Sequence, residues 1–213
     1  MQHETVVVVA GGGPAGVAPA LPRGATVIAA DGGVDLALEL GLPIDLVVGD
    51  FDSASPAGLA AAEASGARIV RHPAEKDATD LELALDEAAA LGPRRLVVVG
   101  VEGGRFDHLL AGVLLLAAER YSRFEIDAFL GSAQAHVIRG ERSLEGEAGE
   151  LVSLLALHGP AEGVVTEGLA YPLRGETLVP GSSRGVSNRF EAVAARVSLE
   201  RGVLLALRPG SGS

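Results

Sequence analysis

Plotted as apolar and polar positions, the chain follows two different patterns. Up to about residue 131, short apolar stretches alternate with polar turns and with longer segments of helical period. The apolar stretches are Thr5–Ala10, Thr26–Ala30, Ile44–Val48, Arg68–Val70, Leu96–Gly100 and Phe124–Leu130, dominated by Val, Ile, Leu and Ala. Runs of this kind suit strands buried on both faces, as in a parallel sheet. Between them, Val34–Leu40, Pro56–Ser65, Asp80–Ala90 and Leu109–Glu119 carry helical patterns, with stops at Gly41, Pro43 and Gly66. Thr79 and Glu82 form an S/T-x-x-E capping box, which fixes a helix start at Asp80. The prediction for 1–131 is an α/β domain with a mostly parallel open sheet and flanking helices.

From Ser132 onward the helical period disappears. Ala135–Ile138, Leu151–Leu157, Gly163–Thr166, Ala192–Val197 and Val203–Leu207 are short runs separated by Gly, Pro and Ser turns. They predict a small all-β sandwich domain over 132–208, with 209–213 as a disordered tail.

The polar positions fall in a telling place. Gly11–Gly13, Asp31, Asp50 with Asp52, Lys76–Asp80, and Arg105 with Asp107 each follow one of the predicted strands. In a parallel sheet all strand C-termini lie along one edge, where ligands bind. One rim carrying five polar clusters predicts an active site. In Gly49-Asp-Phe-Asp-Ser53, extended backbone would point Asp50 and Asp52 to one face and Phe51 to the other. Carboxylates about 7 Å apart at the backbone can converge on one hard cation. Without it, like charges at about 4 Å cost roughly 4 kcal/mol at an effective dielectric near 20. Such a pair implies a metal or one raised pKa; a solvated Asp-Ser turn is the plainer reading.

Gly11-Gly12-Gly13-Pro14-Ala15-Gly16 matches the dinucleotide pattern G-x-G-x-x-G, and Asp31 stands where a ribose-binding acid would. The spacing fails, however. About nine residues, interrupted by Pro19 and Pro22, separate Gly16 from the next strand, too few for the crossover helix. A glycine-rich loop that admits phosphate or adenosine to the backbone survives this objection.

Composition narrows the choice. Aromatics are 3% of a chain that is 48% hydrophobic, so the core is built from Val, Leu and Ala. A net charge of −11 argues against nucleic-acid binding, which needs a basic stripe. The absence of Cys removes disulfides and thiolate chemistry. No apolar run reaches membrane-spanning length and the start lacks a basic leader, so a cytoplasmic protein with no membrane partner is expected. Lys76 is the only lysine and Asn188 the only asparagine. There is no Walker A motif, no G-x-S-x-G elbow and no zinc-ligand spacing. Clustered Asp residues suit Mg²⁺, which takes one or two carboxylates plus substrate phosphates. Asp50, Asp52 and Asp80 are the candidate ligands, with Lys76 and Arg105 offsetting phosphate charge.

Ala30-Asp-Gly-Gly33, Gly49-Asp-Phe-Asp-Ser53, Lys76-Asp-Ala-Thr-Asp80, Gly103-Gly-Arg-Phe-Asp107, Gly168-Leu-Ala-Tyr-Pro172 and Gly185-Val-Ser-Asn188 resemble, in order and spacing, the motifs of thiamine pyrophosphokinases. The resemblance implies transfer of a pyrophosphoryl group from ATP to the hydroxyl of thiamine, releasing AMP, in a homodimer. It implies that Asp50, Asp52 and Asp80 hold Mg²⁺. Gly12, Gly13, Asp31, Gly32, Ser53, Lys76, Asp77 and Thr79 fall on the nucleotide side, and Arg105 and Asp107 line the cleft. Ser187 and Asn188 match a turn that contacts thiamine. Phe190 falls where some members stack an aromatic on the substrate, and a core position is its other reading. Where the family often has an Asn after its Asp-His pair, Ala111-Gly112 stands here. A pyrophosphokinase for another hydroxymethyl heterocycle, such as a pterin, and a non-catalytic nucleotide-binding regulator are the rival expectations.

Overall fold

The computed structural model describes residues 4–13, 21–22, 24–102 and 105–210. Pro14–Gly16 of the glycine-rich motif, Gly103–Gly104 and the tail residues 211–213 lie outside the described residues. The chain forms two compact units. One comprises residues up to Leu115 together with Arg123–Gly131; the other comprises Leu116–Ser122 and the chain from Ser132 onward.

The first unit holds strands β1 (Thr5–Ala10), β2 (Thr26–Ala30), β3 (Leu46–Gly49), β4 (Arg68–Arg71), β5 (Arg95–Val99) and β6 (Glu125–Leu130). They pair in parallel in the order β4-β3-β2-β1-β5-β6. Every residue of β1 is buried, as its central place requires, while edge strand β4 exposes an Arg at each end. Successive strands step outward from β1 to β4, and β5 then returns to the other side of β1. The strand order thus reverses between β1 and β5, and beyond their C-termini the Gly12 N–H donates to the Gly100 carbonyl at 2.8 Å.

Four helices flank the sheet: α1 (Gly33–Glu39), α2 (Pro56–Ala64), α3 (Asp80–Ala90) and α4 (Phe106–Leu116). A Cβ on Gly33 would lie 2.0 Å from the Val9 carbonyl, so glycine is what lets α1 start against β1. Ser55 caps α2, its hydroxyl accepting from Gly58 N–H at 2.9 Å, and the Ser55 N–H donates to Asp35 of α1 at 2.8 Å. Helix α3 has the predicted bounds, and Thr79 Oγ1 accepts from Glu82 N–H at 3.2 Å. Helix α4 starts earlier and stops sooner than its apolar pattern suggests. Ala117 and Ala118 are good helix formers, but the Arg139 guanidinium takes their carbonyls, and a 3₁₀ turn follows at Glu119–Tyr121. The core of this unit is built from residues such as Val7, Val9, Ala29, Val47, Val97 and Val99. Asp127 on β6, 1% exposed, is held by Arg95 Nε of neighbouring β5 at 2.8 Å.

The second unit contains β7 (Ala133–Ile138), β8 (Glu141–Glu145), β9 (Leu151–Glu167), β10 (Arg174–Leu178), β11 (Asn188–Arg189), β12 (Ala194–Ser198) and β13 (Arg201–Arg208). Two predicted runs, 151–157 and 163–166, are one 17-residue strand. His158, at φ 57°, and Gly163, at φ 67°, bend it without ending it. The first part of β9 pairs with β13, which pairs with β7. Its last part pairs with β10 and with β12, which in turn pairs with β8. One bent strand thus serves both sheets of a sandwich. No described helix is long and apolar enough to cross a membrane.

Candidate active site

Asp31 follows β2 in a left-handed conformation, φ 46°, and is 8% exposed. Its N–H donates to the Val48 carbonyl at 2.8 Å, which ties the end of β2 to that of β3. At Gly49 (φ 152°) an added Cβ would lie 3.0 Å from Asp80 Oδ1 and 3.1 Å from Asp31 Cβ. Only a hydrogen there lets three chain segments converge. The stretch from Gly49 to Ser53 is a tight turn, not the extended backbone expected, because Phe51 has φ 66°. Its ring is driven into the core, 9% exposed, beneath the Arg71 guanidinium at 4.5 Å from the ring centroid.

The turn still gathers the carboxylates. Asp50 Oδ1 accepts from Asp52 N–H at 3.3 Å, Ser53 Oγ donates to Asp52 at 2.9 Å, and Ser53 N–H donates to Asp31 at 3.4 Å. One oxygen each from Asp31, Asp50 and Asp52 lies within 4.8 Å of the others. Lys76 Nζ sits between Asp50 Oδ2 and Asp80 Oδ1, 2.8 Å from each.

The charges are strained in the expected directions. Burial, and then the Asp80 charge, raise the Asp31 pKa above the ordinary carboxylate value, only partly offset by bonds from Gly32 and Ser53. The hydrogen bond from Lys76 lowers that of Asp50. For Lys76, burial acts to lower the pKa but is outweighed by Asp50 and Asp80, so the ammonium is stabilised. Four carboxylates and one ammonium leave an excess of negative charge. An all-oxygen donor set without sulfur or nitrogen fits a hard divalent cation.

Sequence reasoning assigned Asp50, Asp52 and Asp80 to the metal and Asp31 to the nucleotide. The geometry groups Asp31 with Asp50 and Asp52, and sets Asp80 against Lys76. Gly12, Gly13 and Gly32 lie in the turns after β1 and β2. Thr79 spends its hydroxyl on the α3 cap, and Asp77 is exposed just before it. Arg105 and Asp107 form an exposed pair, Nη2 to Oδ2 at 2.6 Å, which raises the guanidinium pKa and lowers that of the carboxyl. Sequence reasoning missed Glu102, whose carboxylate is desolvated after β5. Burial raises its pKa, with the Gly131 backbone a partial offset. Only its place after a strand could have signalled it.

In the β unit, Ser187 is exposed at φ 58°, while Asn188 is 3% exposed. The Asn188 amide is committed to backbone: Oδ1 accepts from Tyr171 and Arg189 N–H at 3.0 and 2.9 Å, and Nδ2 donates to the Tyr171 carbonyl at 2.8 Å. The stacking expectation for Phe190 is corrected. Phe190 is 2% exposed, in the β-unit core, with its ring where a Cβ on Gly146 would sit, 2.8 Å away.

An open parallel α/β unit with carboxylates and a lysine at its strand ends, followed by a β-sandwich, defines a class: proteins that handle phosphate esters on a strand-end rim. Comparison makes this specific. Residues 20–128 match the family model of the thiamin pyrophosphokinase catalytic domain, and residues 135–204 match that of the thiamin pyrophosphokinase vitamin B1 binding domain. The chain belongs to the thiamine pyrophosphokinase family. It is 29% identical over 186 residues to a thiamine pyrophosphokinase of Bacillus subtilis, covering 85% of this chain and 86% of that protein. The solved thiamine pyrophosphokinase structure from B. subtilis superposes with a TM-score of 0.85 at 25% identity, covering 98% of this chain and 100% of that one. A thiamin pyrophosphokinase family protein of Enterococcus faecalis gives 0.84 at 29% identity, covering 97% and 99%.

Proposed function

We propose that this protein is an ATP-dependent thiamine pyrophosphokinase of the cytoplasm, where ATP is supplied. The thiamine hydroxyl oxygen attacks the β-phosphorus of ATP, the bond from that phosphorus to the α–β bridging oxygen breaks, and AMP leaves. The hydroxyl proton passes to solvent. The observation that carries this reading is the all-oxygen trio of Asp31, Asp50 and Asp52 beside Lys76, in a chain matched by both family models in order. Asp31, Asp50 and Asp52 would hold Mg²⁺, with Asp80 beside them, and the ion would neutralise charge on the phosphates. Lys76 supplies a compact positive charge to the same phosphates. Arg105 is an exposed guanidinium suited to bidentate phosphate contact once it leaves Asp107.

The reading includes a homodimer. Supporting it, Phe106, Leu110 and Leu114 of α4, spaced four residues apart, are 75%, 50% and 38% exposed, an apolar stripe that a monomer leaves wet.

The test is an incubation with ATP, Mg²⁺ and thiamine, with products resolved chromatographically. AMP and thiamine diphosphate are expected. ADP as the nucleotide product would sink pyrophosphoryl transfer, and turnover of a pterin alcohol but not thiamine would reassign the acceptor. Asp50→Asn should lower kcat by about 10²-fold or more, since charge stabilisation at a phosphoryl centre contributes several kcal/mol. A near-normal rate would refute the metal role.

A further inference from the structure

We infer that Arg71 is a positioning residue for the divalent cation: its guanidinium clamps the Gly49–Ser53 turn in the strained form that brings Asp50 and Asp52 together. The inference rests on the reading of Asp31, Asp50 and Asp52 as the Mg²⁺ site and adds the residue, outside that trio, that keeps the site formed.

Phe51 has φ 66°, a conformation that bulky side chains rarely adopt, and such strain persists only where the surroundings over-determine it. Part of the restraint comes from within. The ring is buried in the same cluster as Val47 and Ala67, with Ile69 packed against it. Ile69 and Arg71 stand two residues apart on edge strand β4 and so share a face. Arg71 extends that cover outward, its Cζ 4.5 Å from the Phe51 ring centroid, and its Nη1 donates to the Asp50 carbonyl at 2.6 Å. These two contacts lie on opposite sides of the one bond whose rotation is the φ of Phe51. The Asp50 carbonyl belongs to the peptide before that bond, and the ring to the residue after it. One planar guanidinium thus holds both handles of the strained torsion. The strand register puts it there: Arg71 pairs with Gly49, and the next N–H, that of His72, donates to the Gly49 carbonyl at 2.8 Å.

The torsion matters because Asp50 and Asp52 flank Phe51. With φ positive, the Asp52 N–H turns back onto Asp50 Oδ1 at 3.3 Å, and one oxygen of each lies within 4.8 Å of the other and of Asp31. A cation that needs this turn has its dissociation constant raised by the inverse of the fraction of time the turn is formed. Charge alone predicts the opposite sign. A guanidinium beside the carboxylates repels a cation, so a purely electrostatic Arg71 would weaken binding and its removal would tighten it.

The experiment uses the full chain, with Arg71→Met and Arg71→Lys beside wild type. Mn²⁺ alone is titrated in, and the free ion is read by its electron paramagnetic resonance. The dissociation constant of Arg71→Met should rise about 3- to 20-fold, as expected for losing one charge-assisted hydrogen bond and one ring contact at an exposed site. Arg71→Lys keeps the charge without the planar fork, and its constant should rise as well. In turnover, half-saturating Mg²⁺ should rise in parallel and KM for thiamine should stay unchanged. At saturating Mg²⁺, kcat should return to near the wild-type value, because the ion itself closes the turn. Unchanged or tighter Mn²⁺ binding in Arg71→Met, or wild-type binding in Arg71→Lys, overturns the inference and leaves the proposed function standing. A kcat deficit that persists at saturating Mg²⁺ would mark general structural damage and equally overturn it. If the wild type takes up no Mn²⁺, the reading of the carboxylates as a metal site falls, and the inference with it.

Discussion

Lys76→Met tests the electrostatics of the site most directly. Lys76 Nζ lies 2.8 Å from one oxygen each of Asp50 and Asp80, and the three side chains are 13%, 13% and 24% exposed. At an effective dielectric near 20, each contact is worth roughly 6 kcal/mol of gross attraction. Desolvation of the ammonium and ordering of its chain consume most of that. Removing one partner of a fully buried pair costs about 3–5 kcal/mol, whereas an exposed pair contributes about 0–1. The intermediate burial here sets the expected loss at about 2–4 kcal/mol. It also leaves Asp31, Asp50, Asp52 and Asp80 with no opposing ammonium, so a divalent cation should recover part of the loss. The assay is urea unfolding of wild type and variant, with chelator and with Mg²⁺. An equal deficit in both conditions, or a loss under about 0.5 kcal/mol, would refute the reasoning.

The pH dependence follows from the same contacts. The Asp50 pKa is lowered by Lys76, so its contribution is present above the unfolded value, about 3.9, and is lost as pH falls through the folded one. The Lys76 pKa is raised, so its contribution is present below the unfolded value, about 10.4, and is lost as pH rises through the folded one. The wild-type advantage over Lys76→Met should therefore hold across neutral pH and shrink in acid below about pH 4.

Two further outcomes are expected. Burial and Asp80 raise the Asp31 pKa, so stability tied to its protonation is present below the unfolded value and lost as pH rises through the folded one. At neutral pH without divalent cations, Asp31→Asn should stabilise the fold by about 0.5–2 kcal/mol while lowering activity; asparagine tolerates φ 46°, and a lowered thermal midpoint in chelator would contradict this. Leu110→Glu, at the centre of the exposed α4 stripe, should turn the proposed dimer into monomer by light scattering with the monomer fold kept, and an unchanged mass would remove α4 from the interface.

Much of this architecture was legible because strands buried on both faces leave continuous β-branched runs, as in Thr5–Ala10, and because Thr79 and Glu82 announce α3. What escaped was set by tertiary adjacency. Asp31 joins Asp50 and Asp52 only because β2 lies beside β3, with Ala30 opposite Val48. It also needs the unusual φ values of Asp31, Gly49 and Phe51 in the two turns, which no local pattern encodes. His158-Gly159-Pro160 reads as a break, yet β9 continues through it because its two ends are claimed by different neighbours, β13 and β12. Phe190 looked like a ligand platform because aromatics are scarce, and it is buried for the same reason: a core with few rings uses those it has. The exposed Tyr171 carries no burial duty.

The lone lysine shows how far rarity can be trusted as a signal. A chain that otherwise uses Arg for every basic position keeps Lys where one compact charge must touch two carboxylates from different elements at 2.8 Å each. A guanidinium is a planar fork that matches one carboxylate with two bonds. At Lys76 a guanidinium would spread its charge over a planar fork rather than place it at the single point 2.8 Å from both carboxylates. Rarity alone could not distinguish this from codon bias; the two equal distances supply the physical reason.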